Sequence, residues 1–132
     1  MALDCAFDAG TLPGLREAVL DEAAAAGLPS DRAVDVMLAV HELAANAVRH
    51  GAGAGRLAMH VQDGRLYCQV SDTGPGRLDG QALQAGTTAA QPWPVQRGHG
   101  LWIVQAAADR VSVASGPAGS RVTAMFVLHA EA

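Results

Sequence analysis

The sequence contains no lysine, and all nine of its cationic residues are arginine. Any mechanism that needs a lysine amine is therefore excluded. Cysteine is also scarce: Cys5 and Cys68 stand far apart, outside any Cys-x-x-Cys pair. Because this spacing is not typical of metal ligands, we expect two buried thiols in a reducing compartment.

Long apolar runs and clustered positive charge are absent as well. No run approaches the roughly 20 apolar residues of a membrane span. Asp4 and Asp8 occupy positions that a signal peptide would keep apolar. The formal net charge of -4 also disfavours a nucleic-acid surface, which normally carries a basic stripe. We therefore expect a soluble cytoplasmic protein without direct membrane or nucleic-acid partners.

The composition is that of one globular domain spanning residues 1–132. Half of the residues are hydrophobic and 17% are charged, which is typical of a chain that buries a core. Apolar alternation and helical spacing predict the element order β-α-α-β-β-loop-α-β-β. The predicted landmarks are a helix stop at Gly27, a helix end at Gly51, a hairpin turn at Asp63-Gly64, a long loop at 74–98 and a second turn at Gly116 to Gly119. These elements predict an α+β fold: a two-layer sandwich of a mixed, mostly antiparallel sheet with about three helices on one face.

The second predicted helix carries an unusual polar stripe within an alanine-rich run. In "HELAANAVRHG", Glu42, Asn46 and Arg49 are four and three residues apart, which places them on one helical face. Such a stripe is either a solvated face or a binding site.

Two glycine motifs follow. "SDTGPG" ends a predicted strand and contains Asp72, Gly74 and Gly76. Glycines let the backbone approach a ligand closely, and a carboxylate there accepts from an exocyclic amine; the alternative is a plain turn. "GHGL" places Gly98 and Gly100 before a helix, whose free N–H groups and dipole favour an anion.

The three motifs together, in this order, resemble the ATP-binding superfamily shared by gyrase, the heat-shock chaperone, histidine kinases and mismatch-repair ATPases. The resemblance covers about residues 1–128. In finer detail, "ELAANAVRHG" and "SDTGPG" are similar to the small stand-alone serine kinases that act as bacterial anti-sigma factors. Histidine kinases attach this domain to a dimerising helix pair, for which we find no segment here.

The resemblance implies roles for the polar residues. Glu42 would be the general base, with a structural or metal-shell carboxylate or a bystander as the alternatives. Asn46 would hold the Mg²⁺ that bridges the phosphates of ATP. Arg49 would meet a phosphate oxygen. Asp72 would accept a hydrogen bond from the adenine amine.

The resemblance also implies roles for the loop residues. A mobile ATP lid would span about 77–98, and the residues implied to contact nucleotide around it are Gly74, Gly76, Gly98, His99, Gly100 and Leu101. Relatives often carry Gly-x-Thr in the turn before the last strand. Here the segment reads Gly119-Ser-Arg-Val, and Thr123 comes two places later.

The implied function is an ATP-dependent serine/threonine kinase that regulates transcription by partner switching. It would bind a sigma factor or similar regulator and phosphorylate a serine on an anti-sigma factor antagonist. Two alternatives remain within the superfamily: a non-catalytic ATP-binding module, and a detached histidine kinase catalytic domain. A scaffold without nucleotide is the alternative outside it. The resemblance also makes a homodimer plausible.

Overall fold

The computed structural model describes residues 2–50, 53–72, 101–116 and 119–128. Within them the elements, in chain order, are β1 (Ala2–Asp8), a 3-10 turn (Ala9–Thr11), α1 (Leu12–Ala25), α2 (Ser30–His50), β2 (Ala54–Gln62), β3 (Arg65–Asp72), α3 (Leu101–Ala107), β4 (Arg110–Gly116) and β5 (Gly119–Val127). The predicted order is confirmed for these elements. The predicted loop at 74–98 lies outside the described residues.

The five strands form one sheet in the order β1-β2-β3-β5-β4. Every pairing among them is antiparallel. The sequence predicted a mixed, mostly antiparallel sheet, and the described part has no parallel pair. The central β3–β5 pairing joins the two predicted hairpins into a single layer.

The two faces of the sheet differ sharply in burial. Alternate residues of the strands enter the core, among them Leu57 on β2, Cys68 on β3 and Phe126 on β5, all at most 1% exposed. We call this the inner face; it packs against the helices. The predicted core residues of α2, Val36, Val40, Leu43 and Ala47, are all buried. The two-layer arrangement of the α+β fold is therefore confirmed.

Two predicted turns form at residues with positive φ, which glycine adopts readily. At the end of α1, Gly27 has a positive φ of 105°. The N–H of Leu28 donates to Ala23 O and that of Gly27 to Ala24 O, the pair of bonds that closes a helix. In the β2–β3 hairpin, Asp63 and Gly64 have φ of 51° and 74°, as a two-residue turn between twisted strands requires.

No helix among the described residues is long and apolar enough to cross a membrane. The third helix is shorter than predicted. The sequence predicted it from His99 to Arg110, but α3 ends at Ala107 and Arg110 already belongs to β4.

Candidate functional site

The polar stripe of α2 lies beside the helix face that enters the core. Glu42 and Asn46 are half-buried, and Arg49 is exposed. Leu43 and Ala47, each next in sequence to one of the first two, are buried. The stripe therefore stands at the boundary between core and solvent, where a polar side chain can meet a ligand without being fully desolvated.

Asn46 and Arg49 contact each other along the stripe. The Arg49 Nη2 donates to Asn46 Oδ1 over 3.3 Å, as the i, i+3 spacing permits. An amide oxygen has two lone pairs, so it can take part in more than one contact. The arrangement places a cation directly beside an oxygen donor of the kind that Mg²⁺ prefers.

Asp72 ends β3 on the inner face of the sheet. Side chains alternate along a strand, and Leu66, Cys68 and Val70 are buried, so Asp72 is the next residue on the helix-facing side. It is half-buried. A carboxylate at the end of a buried run can accept a hydrogen bond in a partly dehydrated setting, where such a bond is selective.

The C-terminal end of α2 and the C-terminal end of β3 lie at the same end of the sheet. The helix ends at His50, and β2 begins only four residues later at Ala54. The start of β2 pairs with the end of β3, since Arg56 is opposite Ser71. The fold therefore brings the α2 stripe and Asp72 to one end of the domain, as a shared site requires.

Gly55 lies at this end of the sheet, at a position where a side chain does not fit. It was not among the residues predicted from the sequence. A Cβ at position 55 would lie 2.6 Å from Ser71 O and 2.7 Å from the Phe7 ring. Glycine is therefore required where β1, β2 and β3 meet beside the site. A glycine inside an alternating strand is the signal that could have identified it.

Arg32 binds the C-terminal end of α3 through a hydrogen bond. This contact was not predicted from the sequence. The Arg32 Nη1 donates to Asp35 Oδ2 over 2.8 Å and to Ala107 O, at the end of α3, over 2.9 Å. Its Nη2 donates to Asp109 Oδ2 over 3.0 Å. The first residue of α3, Leu101, lies roughly 9 Å along the helix from Ala107. No local pattern marks the contacts of Arg32 with Ala107 and Asp109, because these residues lie far away in sequence.

His41, directly before Glu42, contains an orphaned polar atom. Its Nδ1 is buried and has no hydrogen-bond partner among the residues that the structure describes. A buried nitrogen without a partner costs about 1–3 kcal/mol, so this position is costly for the fold. No sequence pattern marks this atom.

Most of the remaining predicted residues lie where the structure does not describe the chain. Gly74, Gly76, Gly98, His99 and Gly100 lie outside the described residues, and Leu101 is placed only as the start of α3. Thr123 lies in mid-strand on β5, opposite Gln69 and Ser112. It alternates with the buried Val122 and Ala124, so it faces away from the helices and from the α2 stripe.

No group of three or more His, Cys, Asp or Glu residues that could hold a metal occurs in the part of the chain that the structure describes. The described stripe carries two side chains with oxygen donors, Glu42 and Asn46. The resemblance assigns the metal to Asn46. Its amide fits Mg²⁺, which takes few protein ligands when phosphates and water supply the others.

Comparison with known proteins agrees with this architecture. Residues 5–126 match the family described as the histidine kinase-like ATPase domain. The chain belongs to that family. A search of curated proteins found no match.

Solved structures of low sequence identity share the fold. The RsbU and RsbW domains of a Mycobacterium tuberculosis protein match with a TM-score of 0.69 at 17% identity, over 96% of this chain and 32% of that one. The SiaB–SiaC complex of Pseudomonas aeruginosa gives 0.68 at 18% identity, over 96% and 88% of the two chains. A blue-light activated histidine kinase of Erythrobacter litoralis gives 0.58 at 25% identity, over 76% and 32%. This chain thus spans about a third of the first and third of these chains, and most of the second.

Proposed function

We propose that this protein binds ATP with Mg²⁺ and acts as a serine/threonine kinase in a partner-switching system. It would bind a sigma factor or a similar regulator and phosphorylate a serine on an anti-sigma factor antagonist. The observation that carries the proposal is the α2 stripe, in which Asn46 contacts Arg49 and Glu42 lies one turn earlier. Membership of the histidine kinase-like ATPase family supports it.

Each residue of the stripe has one task in this proposal. Asn46 would hold Mg²⁺, and Arg49 would meet a phosphate oxygen beside it. The metal supplies neutralisation of phosphate charge, which together with positioning is most of what phosphoryl transfer needs. Asp72 would select adenine by accepting from its exocyclic amine.

Glu42 would make the protein a kinase and not only a nucleotide-binding module. Its half-buried carboxylate would orient the incoming serine hydroxyl and accept its proton. The bond from the serine oxygen to the γ-phosphorus forms while the bond from that phosphorus to the leaving oxygen breaks, and ADP is released. A carboxylate positioned for proton transfer contributes roughly 10²–10⁴-fold to a rate.

The partner part of the proposal draws support from the length of the match to one chain of the SiaB–SiaC complex. That chain was solved with a protein partner, and this chain covers 88% of it. A domain of this size acting on a separate protein is consistent with partner switching.

Calorimetric titration of ATP, with and without Mg²⁺, tests the nucleotide site. We expect wild-type protein to bind, Asp72→Asn to bind at least tenfold more weakly, and Asn46→Ala to lose the Mg²⁺ dependence. Asp63→Asn is the matched control, because it makes the same carboxyl-to-amide change at the opposite end of β3. Asn tolerates the positive φ found there. No binding by wild type would contradict the proposal.

Phosphotransfer requires a second assay with labelled ATP and the antagonist proteins of the same organism. We expect acid-stable phosphoserine that Glu42→Gln abolishes without loss of ATP binding. Acid-labile phosphate on the partner would indicate a histidine kinase catalytic domain instead. Unaltered partner regulation by Glu42→Gln would indicate a non-catalytic module.

A further inference from the structure

The outer face of the sheet carries three arginines on three adjacent strands. Arg65 on β3, Arg121 on β5 and Arg110 on β4 are all exposed. Each alternates in its strand with residues of the inner face. The outer face is thus strongly cationic on its β3–β5–β4 side, although the protein carries a formal net charge of -4.

These arginines are not neutralised within the described residues. None of the three takes part in an ion pair there, whereas Arg56, on the same face, pairs with Asp4 at 2.8 Å. The described outer-face positions of β3, β5 and β4 include no carboxylate. Exposed cations that no carboxylate of the described residues neutralises are available to an external anion.

A groove of about 410 Å³ lies between the arginines of β3 and β4. Its lining is partly apolar, and consists of Arg65, Tyr67, Arg110, Ser112, Thr123 and Met125. Tyr67 is stacked on His60, with ring centroids 5.1 Å apart and planes at 11°, so its ring is held in place. We call these six residues the arginine groove.

We propose that the arginine groove, together with Arg121 on the same face of β5, binds an extended acidic segment of a protein partner. Strands lie about 4.8 Å apart and rise about 3.4 Å per residue. By the register, Arg65 is opposite Val127 and Arg110 is opposite Met125, so the two arginines stand two strands and two residues apart, or about 12 Å. Arg121 lies four residues, or about 14 Å, along β5 from the level of Arg110. An extended peptide presents every second side chain on one face, at about 7 Å intervals, so acidic residues at positions 1 and 5 would span the same distance.

The groove favours a peptide over other polyanions. Arginines about 12 Å or more apart match acidic side chains four residues apart on an extended peptide better than a phosphate at every nucleotide, which would demand a denser basic stripe. Tyr67 and Met125 give the groove an apolar floor that suits the side chains between the acids. The site also lies on the opposite face of the sheet from Asp72 and the α2 stripe, so it is separate from the proposed nucleotide site.

Fluorescence anisotropy with a labelled (Glu-Thr)6 peptide tests the proposal, with (Gln-Thr)6 as the neutral probe. We expect the acidic peptide to bind and the neutral peptide not to bind. Binding of the acidic peptide should weaken as salt rises from 50 to 300 mM, since exposed charges are screened. The triple variant Arg65→Gln, Arg110→Gln, Arg121→Gln should bind at least tenfold more weakly. The corresponding triple change to Lys should restore most of the affinity.

Single variants provide the matched comparison. Arg110→Gln should weaken the peptide two- to fivefold, the range expected for one exposed ion pair, whereas Arg16→Gln on α1 should have no effect. Retained ATP binding and an unchanged melting temperature in the triple variant would show that the fold and the proposed nucleotide site are intact. The two proposals can therefore fail separately.

Four results would overturn the inference. The first is equal binding of the neutral peptide, and the second is binding that the triple variant leaves unchanged. The third is tighter binding of a single-stranded 12-nucleotide DNA through the same arginines, which would assign the groove to nucleic acid. The fourth is a wild-type dimer that the triple variant dissociates, with no peptide binding, which would assign the face to a second copy of the chain.

Discussion

Arg32 and Asp109, 77 residues apart in sequence, are joined at 3.0 Å between Nη2 and Oδ2. The same carboxylate oxygen accepts the N–H of Val127 over 2.8 Å. The Arg32 guanidinium carbon also stands 5.4 Å from the centre of the Phe126 ring. One side chain thus ties the start of α2 to the end of α3 and to the sheet.

Loss of Arg32 should therefore destabilise the whole domain. We expect Arg32→Ala to lower the free energy of unfolding by about 1–3 kcal/mol, because a hydrogen-bonded network and a ring contact are lost together. Arg32→Lys should lose about 1 kcal/mol, since an ammonium cannot reproduce the fork of contacts. Urea unfolding measures both, with Arg16→Ala as a control expected within about 0.5 kcal/mol.

A double-mutant cycle isolates the pair with Asp109. We expect Arg32→Ala and Asp109→Asn to couple by roughly 0.5–1.5 kcal/mol, because both side chains share one network. Strict additivity of the two variants would show that the network contributes nothing as a unit.

Arg49 should affect nucleotide binding more than stability. Its bond to Asn46 is 3.3 Å long and exposed, so Arg49→Ala should leave the melting temperature within about 2 °C of wild type. If Arg49 meets a phosphate, ATP should bind roughly tenfold to a hundredfold more weakly, the effect of one hydrogen bond to a charged group. Calorimetry and thermal unfolding on the same samples separate the two effects; a large stability loss with unchanged ATP affinity would make Arg49 structural.

Position 55 should not tolerate a side chain, whereas position 14 should tolerate one. Gly55→Ala would force a Cβ against Ser71 O and Phe7, and we expect it to cost about 3 kcal/mol or more of the free energy of unfolding. Gly14 lies in α1 with nothing within 4 Å of an added Cβ. Gly14→Ala should stabilise by about 0.5–1 kcal/mol, through helix propensity. Urea unfolding of the pair decides this, and equal effects of the two changes would refute the close approach at Gly55.

The sequence predicted the elements because their signals are local. The spacing of Val36, Val40 and Leu43 marks a helix face whatever surrounds it, and Asp63-Gly64 specifies a turn from two residues alone. The stripe of α2 was visible for the same reason, and its contact between Asn46 and Arg49 follows from helical spacing. The roles assigned to these residues stay predictions.

The relationships between distant segments were not predictable in this way. The β3–β5 pairing, the Arg32 contacts and the clash that keeps residue 55 a glycine each depend on chain segments far apart in sequence. Thr123 shows the consequence. In sequence it was compared with the threonine of the Gly-x-Thr turn in relatives. The strand register instead places Thr123 on the face of the sheet away from the helices. The proposed roles of Gly98 and Gly100 could not be compared with geometry, because these residues lie outside the described part of the chain.

Ionisation of Cys68 in the unfolded chain should make the protein less stable at alkaline pH. Burial raises the pKa of its thiol from 9.0 to about 12. Below pH 9 the thiol is protonated in both states, so this contribution is fully present. Above pH 9 the unfolded chain ionises first and holds fewer protons, so the free energy of unfolding falls by roughly 1.4 kcal/mol per pH unit until about pH 12.

Urea unfolding at pH 7, 9, 10 and 11 tests this dependence. Cys68→Ala should be less stable at pH 7, because it leaves a small cavity, but it should lose less stability on going to pH 11. The control is Cys5→Ala. Burial, and next the Asp4 carboxylate, raise the pKa of Cys5, while Arg56 opposes them. Cys5 is less buried than Cys68, so this variant should change the alkaline slope less.

Thiol alkylation gives an independent measurement of the same property. At pH 8 the thiolate is the reactive form, so native Cys68 should remain unlabelled by iodoacetamide while both cysteines react in 8 M urea. Rapid labelling of Cys68 in the folded protein would show that this part of β3 opens readily. The core beneath α2 would then be less stable than its burial implies, and the alkaline slope of Cys68→Ala should match that of wild type.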